Sequence, residues 1–316
     1  EPGHDHRETR ERDPMTNITV VPDIHANSAR LDASIREAGD DRLAFLGDFI
    51  DAGKEGPDDD EGVLLRARDL IETGRAVAVL GNHELNAILF HRTNSQERPL
   101  RDRSDKNRAQ HRSFIDRFGV GTAEALTWTE WFLTLPLWHD FGGLRIVHAC
   151  WDATAIATIA ERRPDGRLHP ADLLEVAAKE TAFAQAVERL TSGPEVPLPA
   201  DHVFEDHKGH RRSHVRVAWW LPPGATWREA TLSVPDLGAL PNGVIPASFG
   251  VPFYPADEPP VLVGHYKMRG DPCLATGQAS SLDYSKTPLI YRWCGEKTLI
   301  SENLITLPQI REEAAT

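Results

Sequence analysis

Five times along this chain a short apolar run of β-type residues stops abruptly at a polar cluster, and this recurrence limits the folds open to it. Ile18-Thr19-Val20-Val21 leads into Pro22-Asp23-Ile24-His25, and Leu43-Ala44-Phe45-Leu46 into Gly47-Asp48-Phe49-Ile50-Asp51. Ala76-Val77-Ala78-Val79-Leu80 leads into Gly81-Asn82-His83-Glu84, Leu144-Arg145-Ile146-Val147 into His148, and Pro260-Val261-Leu262-Val263 into Gly264-His265. Continuous apolar runs this short suit buried strands. Between the first three lie helical signals. Asn27 or Ser28 can cap a helix through Leu31 and Ile35 toward Gly39, and Glu61 to Thr73 carries apolar residues at helical spacing before Gly74. Alternating strand and helix reads as an α/β fold, in which ligands gather beyond the carboxyl ends of the strands. The five polar clusters are expected to meet there.

A chain of 316 residues, 40% of them hydrophobic, can bury a substantial core, so disordered and fibrous classes fit poorly. No apolar run approaches the roughly 18 residues of a membrane-spanning helix, and the expectation is a cytoplasmic protein with no membrane partner. The net charge of −13 argues against non-specific binding to nucleic acid or anionic membrane, which relies on a basic surface. Residues 1–14 read as a disordered tail of non-native origin, and His4 and His6 are set aside from the site. Cys150, Cys273 and Cys294 form no C-x-x-C pair, which indicates neither a disulfide framework nor a thiolate zinc site and suggests buried thiols. The Arg-rich stretch from His91 to Arg112 reads first as a solvated loop or helix face, and second as a basic rim for phosphorylated substrate. Residues 15–316 read as one domain with a cap or insertion at 151–259, including an Ala-rich helical stretch from Ala171 to Leu190. Trp219, Trp220 and Trp227 are expected to be packing residues there. Segments 282–285 and 291–293 look like further strands, with Tyr291 and Trp293 on one face and Arg292 on the other.

Asp23, His25, Asp48, Asn82, His148 and His265 together offer oxygen and imidazole ligands from five strand ends, enough for two divalent ions sharing one carboxylate. Such a donor set without thiolate suits manganese, iron or zinc, and two ions roughly 3.5–4 Å apart can clamp a phosphoryl group. In their order, D-I-H, G-D-F-I-D, G-N-H-E, a strand-terminal His and G-H resemble the motifs of the calcineurin-like metallophosphoesterases, and most closely the phosphoprotein phosphatase branch. The resemblance implies an α/β fold of two mixed β-sheets packed as a sandwich flanked by helices, the four-layer metallophosphoesterase fold. It also implies Asp23 and His25 on the first metal, Asp48 bridging both, and Asn82, His148 and His265 on the second. Water bridging two dications has its pKa lowered toward neutrality, and the resulting hydroxide can attack phosphorus directly. His83 is the candidate general acid, and by resemblance Asp51 is the carboxylate that fixes its tautomer. Glu84 reads as structural.

The sequence departs from the family pattern at two places. Ala26 stands where Gly usually follows D-x-H, a change of small weight if the backbone angle is ordinary. Ala52 stands where the phosphatase branch places an Arg that forks onto substrate phosphate. Lys54, Lys267, Arg212 and Arg216 are candidate replacements, and Tyr266 a candidate hydrogen-bond donor to substrate. Lys267 also occupies the place of the second His of G-H-x-H in diesterase-type relatives, which favours the phosphatase branch. Three functions stay open. One is a phosphomonoesterase acting on phosphoserine, phosphothreonine or phosphotyrosine in proteins, or on small phosphorylated compounds. Another is a hydrolase of dinucleoside polyphosphates, nucleotides or nucleic-acid ends, and the last an inactive metal-binding or partner-binding module.

Overall fold

The computed structural model describes residues 17–53, 58–206 and 209–308. Among them the strands of the first half are β1 (Ile18–Val21), β2 (Arg42–Phe45), β3 (Ala76–Ala78), β4 (Trp138–Asp140) and β5 (Arg145–Val147). Those of the second half are β6 (Glu195–Pro197), β7 (Phe204–Glu205), β8 (Arg211–Arg212), β9 (His214–Val217), β10 (Thr231–Leu232), β11 (Val261–Val263), β12 (Ala279–Ser281), β13 (Leu289–Trp293) and β14 (Leu304–Thr306). The helices are α1 (Ser28–Ala38), α2 (Asp60–Glu72), α3 (Asn82–His91), α4 (Asp105–Gln110), α5 (Arg112–Phe118), α6 (Ala123–Phe132), α7 (Ala153–Ala160), α8 (Leu173–Ala178), α9 (Ala182–Ser192) and α10 (Trp227–Ala230).

β1, β2 and β3 pair in parallel, with β13 antiparallel on the far side of β1, giving a mixed sheet ordered β14-β13-β1-β2-β3. A second mixed sheet, β12-β11-β5-β4, holds three parallel strands and the antiparallel β4. Side chains alternate across a strand, so each apolar run feeds two cores. Ile18, Val20, Ala44 and Leu46 of the first sheet pack with Ile146 and Leu262 of the second, which puts the two sheets face to face. Their neighbours Val21, Leu43, Phe45, Val147, Val261 and Val263 point outward into a core shared with Leu31 of α1, Val63 of α2, Ile88 of α3 and Val187 of α9. This is the expected α/β sandwich of two mixed sheets flanked by helices. Tyr291 and Trp293 join the inner core, while Arg292 turns to the opposite side and pairs with Asp41 at 2.8 Å.

Asn27 caps α1, its side chain accepting from Arg30 N–H at 2.9 Å. The helical stretch expected from Ala171 to Leu190 is made of two helices, because Lys179 takes a left-handed backbone (φ 59°) and Thr181 caps α9 anew. In the span 151–259, α7 to α9 belong to the outer layer of the main core, Ile159, Phe183 and Val187 packing with Val147 and Val261. From Glu195 onward a small antiparallel sheet, β10-β9-β6, builds a separate core around Val196, Val215, Val217 and Trp227. Trp219 and Trp220 return to the main core. The strand expected at 282–285 ends at Ser281 instead; Leu282 N–H donates to Val263 and the chain then turns, Tyr284 N–H donating to Leu282. Cys150 is buried as expected, but Cys273 and Cys294 are exposed, since the irregular segments carrying them lie at the surface. No helix among the described residues is long and apolar enough to cross a membrane.

Trp219 is fully buried and its indole N–H donates to the Ala149 carbonyl at 2.9 Å, beside the strand end that carries His148. Trp219→Ala is expected to lower unfolding free energy by about 3–5 kcal/mol in chemical denaturation. A loss below about 1 kcal/mol would mean that this packing is not part of the core.

Candidate metal centre

The carboxyl ends of the parallel strands in both sheets open onto one edge, and backbone hydrogen bonds stitch their loops together. Ile24 and His25 N–H donate to the Asp48 carbonyl at 3.0 and 2.9 Å, Ala26 N–H to Phe49 at 2.7 Å, and Gly264 N–H to His148 at 3.0 Å. Glu84 reaches across from α3, its carboxylate accepting from the N–H groups of Asp48 and Phe49, both at 2.8 Å, and of Gly81 at 3.2 Å. It is structural, as the sequence suggested. Gly81 is required by closeness: a Cβ there would fall 2.3 Å from an Asp48 carboxylate oxygen. His25, Ala26, Asp48, Asp51 and His265 all have positive φ, between 48° and 67°. Backbone strain of this kind gathers where a loop is held for function.

The six expected ligands converge. His148 Nε2 lies 2.9 Å and His265 Nδ1 2.7 Å from the Asn82 amide oxygen, and His148 Nε2 is 3.4 Å from Asp48. On the other side, His25 Nε2 is 3.9 Å from Asp23 and 4.0 Å from Asp48. The ring nitrogens are oriented from behind: His148 Nδ1–H donates to the Leu46 carbonyl at 2.6 Å and His25 Nδ1–H to the Ile50 carbonyl at 3.2 Å. With Nδ1 held this way, the Nε2 atom of each ring faces inward, the arrangement usual for metal-bound histidine. His25 Nε2 and His265 Nε2 are buried and have no hydrogen-bond partner among the described residues. Two donor groups, His25/Asp48/His83 and Asp23/Asp48/His148, each have their ligand atoms within 4.8 Å, and Asp48 belongs to both.

Electrostatics point the same way. Burial, Asp283 and Asp48 push the Asp23 carboxyl well above the usual range, because three buried acidic groups crowd one another. Burial works against the Asp48 charge as well, but His148, His83 and His25 outweigh it and hold its carboxyl low. Burial and neighbouring His83 lower His25 to about 4, keeping its lone pair free. Buried carboxylates with neutral imidazoles beside them are a donor set that a divalent cation satisfies. The residues fit the ions that the motifs imply.

His83 sits at the inner end of α3 with Nδ1 2.7 Å from Asp51 and Nε2 3.8 Å from Asp48. Residues 16–153 match the family model for calcineurin-like phosphoesterases. This matched segment is under half of the chain. It carries the D-I-H, G-D-F-I-D, G-N-H-E and His148 positions, while His265 is brought in from beyond it. Among solved structures, the chain is similar to a putative diadenosine tetraphosphatase (16% identity, covering 94% of this chain and 96% of the other, TM-score 0.45). It is also similar to a protein serine/threonine phosphatase from Saccharomyces cerevisiae (14%, 95% and 82%, TM-score 0.49). A third is the cold-active protein-tyrosine phosphatase of a psychrophilic Shewanella (11%, 93% and 80%, TM-score 0.48). None of the curated proteins matches.

The site residues line a cleft of about 690 Å³, joined by Gln110, Arg216, Lys267 and Arg269. Arg216 reaches it from β9 of the small sheet, paired with Glu195 at 3.3 Å, and Lys267 from the loop after β11. Arg212 does not come to the cleft; it is held by Asp206 at 2.8 Å in the exposed β7–β8 hairpin. Tyr266 lines the cleft only with its ring, packed edgewise on His265 and Trp220. Its hydroxyl is buried where a Cβ on Gly193 would sit, which corrects the expectation that it faces substrate. Lys54 lies outside the described residues. In the 91–112 stretch Arg92 pairs with Glu130 and Arg112 with Asp58 and Asp116, away from the cleft, while Arg101 holds Asn86, Asn107 and the cleft residue Gln110. Arg269, Gln110, and the Asp60–Ser113 pair that receives the backbone N–H groups of Asp51 and Ala52 carried no motif to mark them.

The Ala26 angle is not ordinary. At φ 54° and fully buried, it holds the left-handed conformation that a Gly adopts without strain. Ala26→Gly is expected to be neutral or to stabilise by up to about 1 kcal/mol in thermal or denaturant unfolding, although Gly loosens the unfolded chain. Destabilisation beyond that amount would show that the conformation carries no strain. Glu84→Ala strands three buried N–H groups and is expected to lower stability by at least about 3 kcal/mol. A near-neutral result would break the link drawn between α3 and the Asp48 loop.

Proposed function

We propose that the chain is a phosphomonoesterase dependent on two divalent ions, of the phosphoprotein phosphatase type. Its substrates are phosphorylated Ser, Thr or Tyr side chains or small phosphoesters. The observation that carries this reading is the 2.7 Å pairing of His83 with Asp51 beside the Asp48 carboxylate, a proton donor set against a metal-type donor cluster. Asp23 and His25 with Asp48 would hold one ion, and Asn82, His148 and His265 with Asp48 the other. When bound, such ions of manganese, iron or zinc supply positive charge to a phosphoryl group and make water at the site more acidic.

What the chain itself contributes is a placed proton. Burial disfavours a charged His83, but Asp48 and Asp51 outweigh burial and push its pKa up to about 9 with the protein's own groups. Held at Nδ1 by Asp51, the ring keeps Nε2–H at the cleft, where a departing alkoxide oxygen needs a proton. Lys267, Arg216 and Arg269 stand at the cleft in place of the Arg that Ala52 lacks, as partners for phosphate oxygens. A second reading, hydrolysis of dinucleoside polyphosphates, nucleotides or nucleic-acid ends, is favoured by the cleft volume of about 690 Å³ and its three cations, more than one phosphate needs. An inactive module is disfavoured by the intact His83–Asp51 pair.

Hydrolysis of p-nitrophenyl phosphate should require added divalent metal and vanish with chelator. His83→Ala is expected to lower kcat by roughly a hundredfold or more, and Asp48→Asn to abolish turnover. Full activity in both variants would end this reading. Comparison with bis-p-nitrophenyl phosphate, diadenosine tetraphosphate and a phosphopeptide under the same metal separates the two substrate classes. Because the acid must be protonated, the rate on poor leaving groups should fall on the alkaline side. Asp51→Asn removes an interaction that raises the His83 pKa, so that limb should move to lower pH. A limb that stays in place would assign it to another group.

A further inference from the structure

Asp51 has a second partner that no family motif marks. Its Oδ2 meets His83 Nδ1, while its Oδ1 lies 2.6 Å from His111 Nδ1. Behind that, His111 Nε2 lies 2.9 Å from His91 Nε2, and His91 Nδ1 accepts the backbone N–H of Gly121 at 3.0 Å. Both rings are buried, at 5% and 3% exposure.

The protons in this chain of bonds can be placed from one end. A backbone N–H only donates, so His91 Nδ1 carries a lone pair and the single proton of that ring is on Nε2. His91 Nε2–H therefore donates to His111 Nε2, which must be the acceptor. His111 in turn is neutral with its proton on Nδ1, and donates to Asp51 Oδ1. Burial and neighbouring His111 lower His91 to about 3, in keeping with a neutral ring. Each donor meets one acceptor, and the direction is fixed by the Gly121 amide.

The surroundings fix the ring planes too. His111 stacks on Phe114 at 4.8 Å and 16°, and His111 and His91 meet Phe90 edgewise at 5.3 and 5.4 Å. His91 also meets the edge of Phe114 at 5.3 Å. An apolar side chain would fill this aromatic box without burying polar nitrogens, which need partners to be tolerated. The nitrogens are spent on one task, holding a carboxylate that sits at φ 67° and would otherwise have one oxygen without this donor.

We propose that His111, with its tautomer set by His91 and Gly121, is a positioning residue that locks the Asp51 carboxylate and thereby aims His83 Nε2–H at the leaving group. Tethering Oδ1 stops the carboxylate from swivelling, so Oδ2 stays on His83 Nδ1. This rests on the reading of His83 as general acid, and two measurements keep the two claims apart.

The first is the tautomer itself, read by long-range ¹⁵N–¹H correlation in histidine-labelled protein prepared with zinc, a diamagnetic ion. His91 should carry its proton on Nε2 and His111 on Nδ1 near neutral pH. The opposite tautomer or a protonated imidazolium at His111 overturns the proposal, whatever the enzyme hydrolyses. The second is leaving-group dependence in variants whose thermal unfolding confirms that they fold. His111→Phe keeps the stack on Phe114 and removes the donor; it should lower kcat on an alkyl phosphomonoester roughly tenfold to a hundredfold. The loss on 2,4-dinitrophenyl phosphate, whose leaving group needs no proton, should be several-fold smaller, with KM little changed. His111→Asn, whose amide nitrogen falls near the place of Nδ1, should recover most of the loss. Equal losses on both esters, or no loss in His111→Phe, overturn it. Should His83→Ala leave alkyl ester hydrolysis intact, the general-acid reading fails, and the tautomers alone then decide whether His111 holds Asp51.

Discussion

The Asp48 carboxylate lies where the two sheets meet, nearly sealed from solvent, with Asp23 on one side and the imidazoles of His25, His83 and His148 around it. Such a charge is tolerated only when partners surround it, and here the partners come from the ends of different strands. Its position in turn depends on Glu84, which anchors the Asp48 loop through backbone N–H groups from the first turn of α3. The same helix start carries Asn82 and His83, so one buried carboxylate fixes these two side chains and the loop relative to each other. The fold exists around this site in a literal sense: parallel strands of both sheets end at the same edge, and only there do the five polar clusters meet.

Much of this was legible in the sequence because the informative residues are contiguous with the strands that carry them. A run such as Leu43 to Leu46 announces both a buried strand and the position of Asp48, since chain direction decides where the next side chain emerges. All six expected ligands came together for that reason. The small sheet built from Glu195 onward was less legible; its strands are two to four residues long and its core depends on Trp227 meeting Val196 and Val215 across intervening loops.

Where the sequence misled, long-range geometry decided. Nothing local tells that the Tyr266 ring turns its hydroxyl toward Gly193, or that Arg212 closes a hairpin with Asp206 instead of reaching the cleft. Lys179 divides a stretch whose composition says only that it is helical, and Ala26 holds an angle that its small side chain gives no reason to expect. His111 lies in an Arg-rich stretch that reads as solvated, yet its ring is buried against Asp51 sixty positions away. A histidine next to charged neighbours carries no signal of its own until its partner is known.

The account rests on Asp48 being shared by two cations. Anomalous diffraction from crystals grown with manganese tests this most directly. Two peaks flanking the Asp48 carboxylate are predicted, one beside Asp23 and His25 and the other beside Asn82, His148 and His265. A single peak away from Asp48, or no bound metal at saturating manganese, would contradict it.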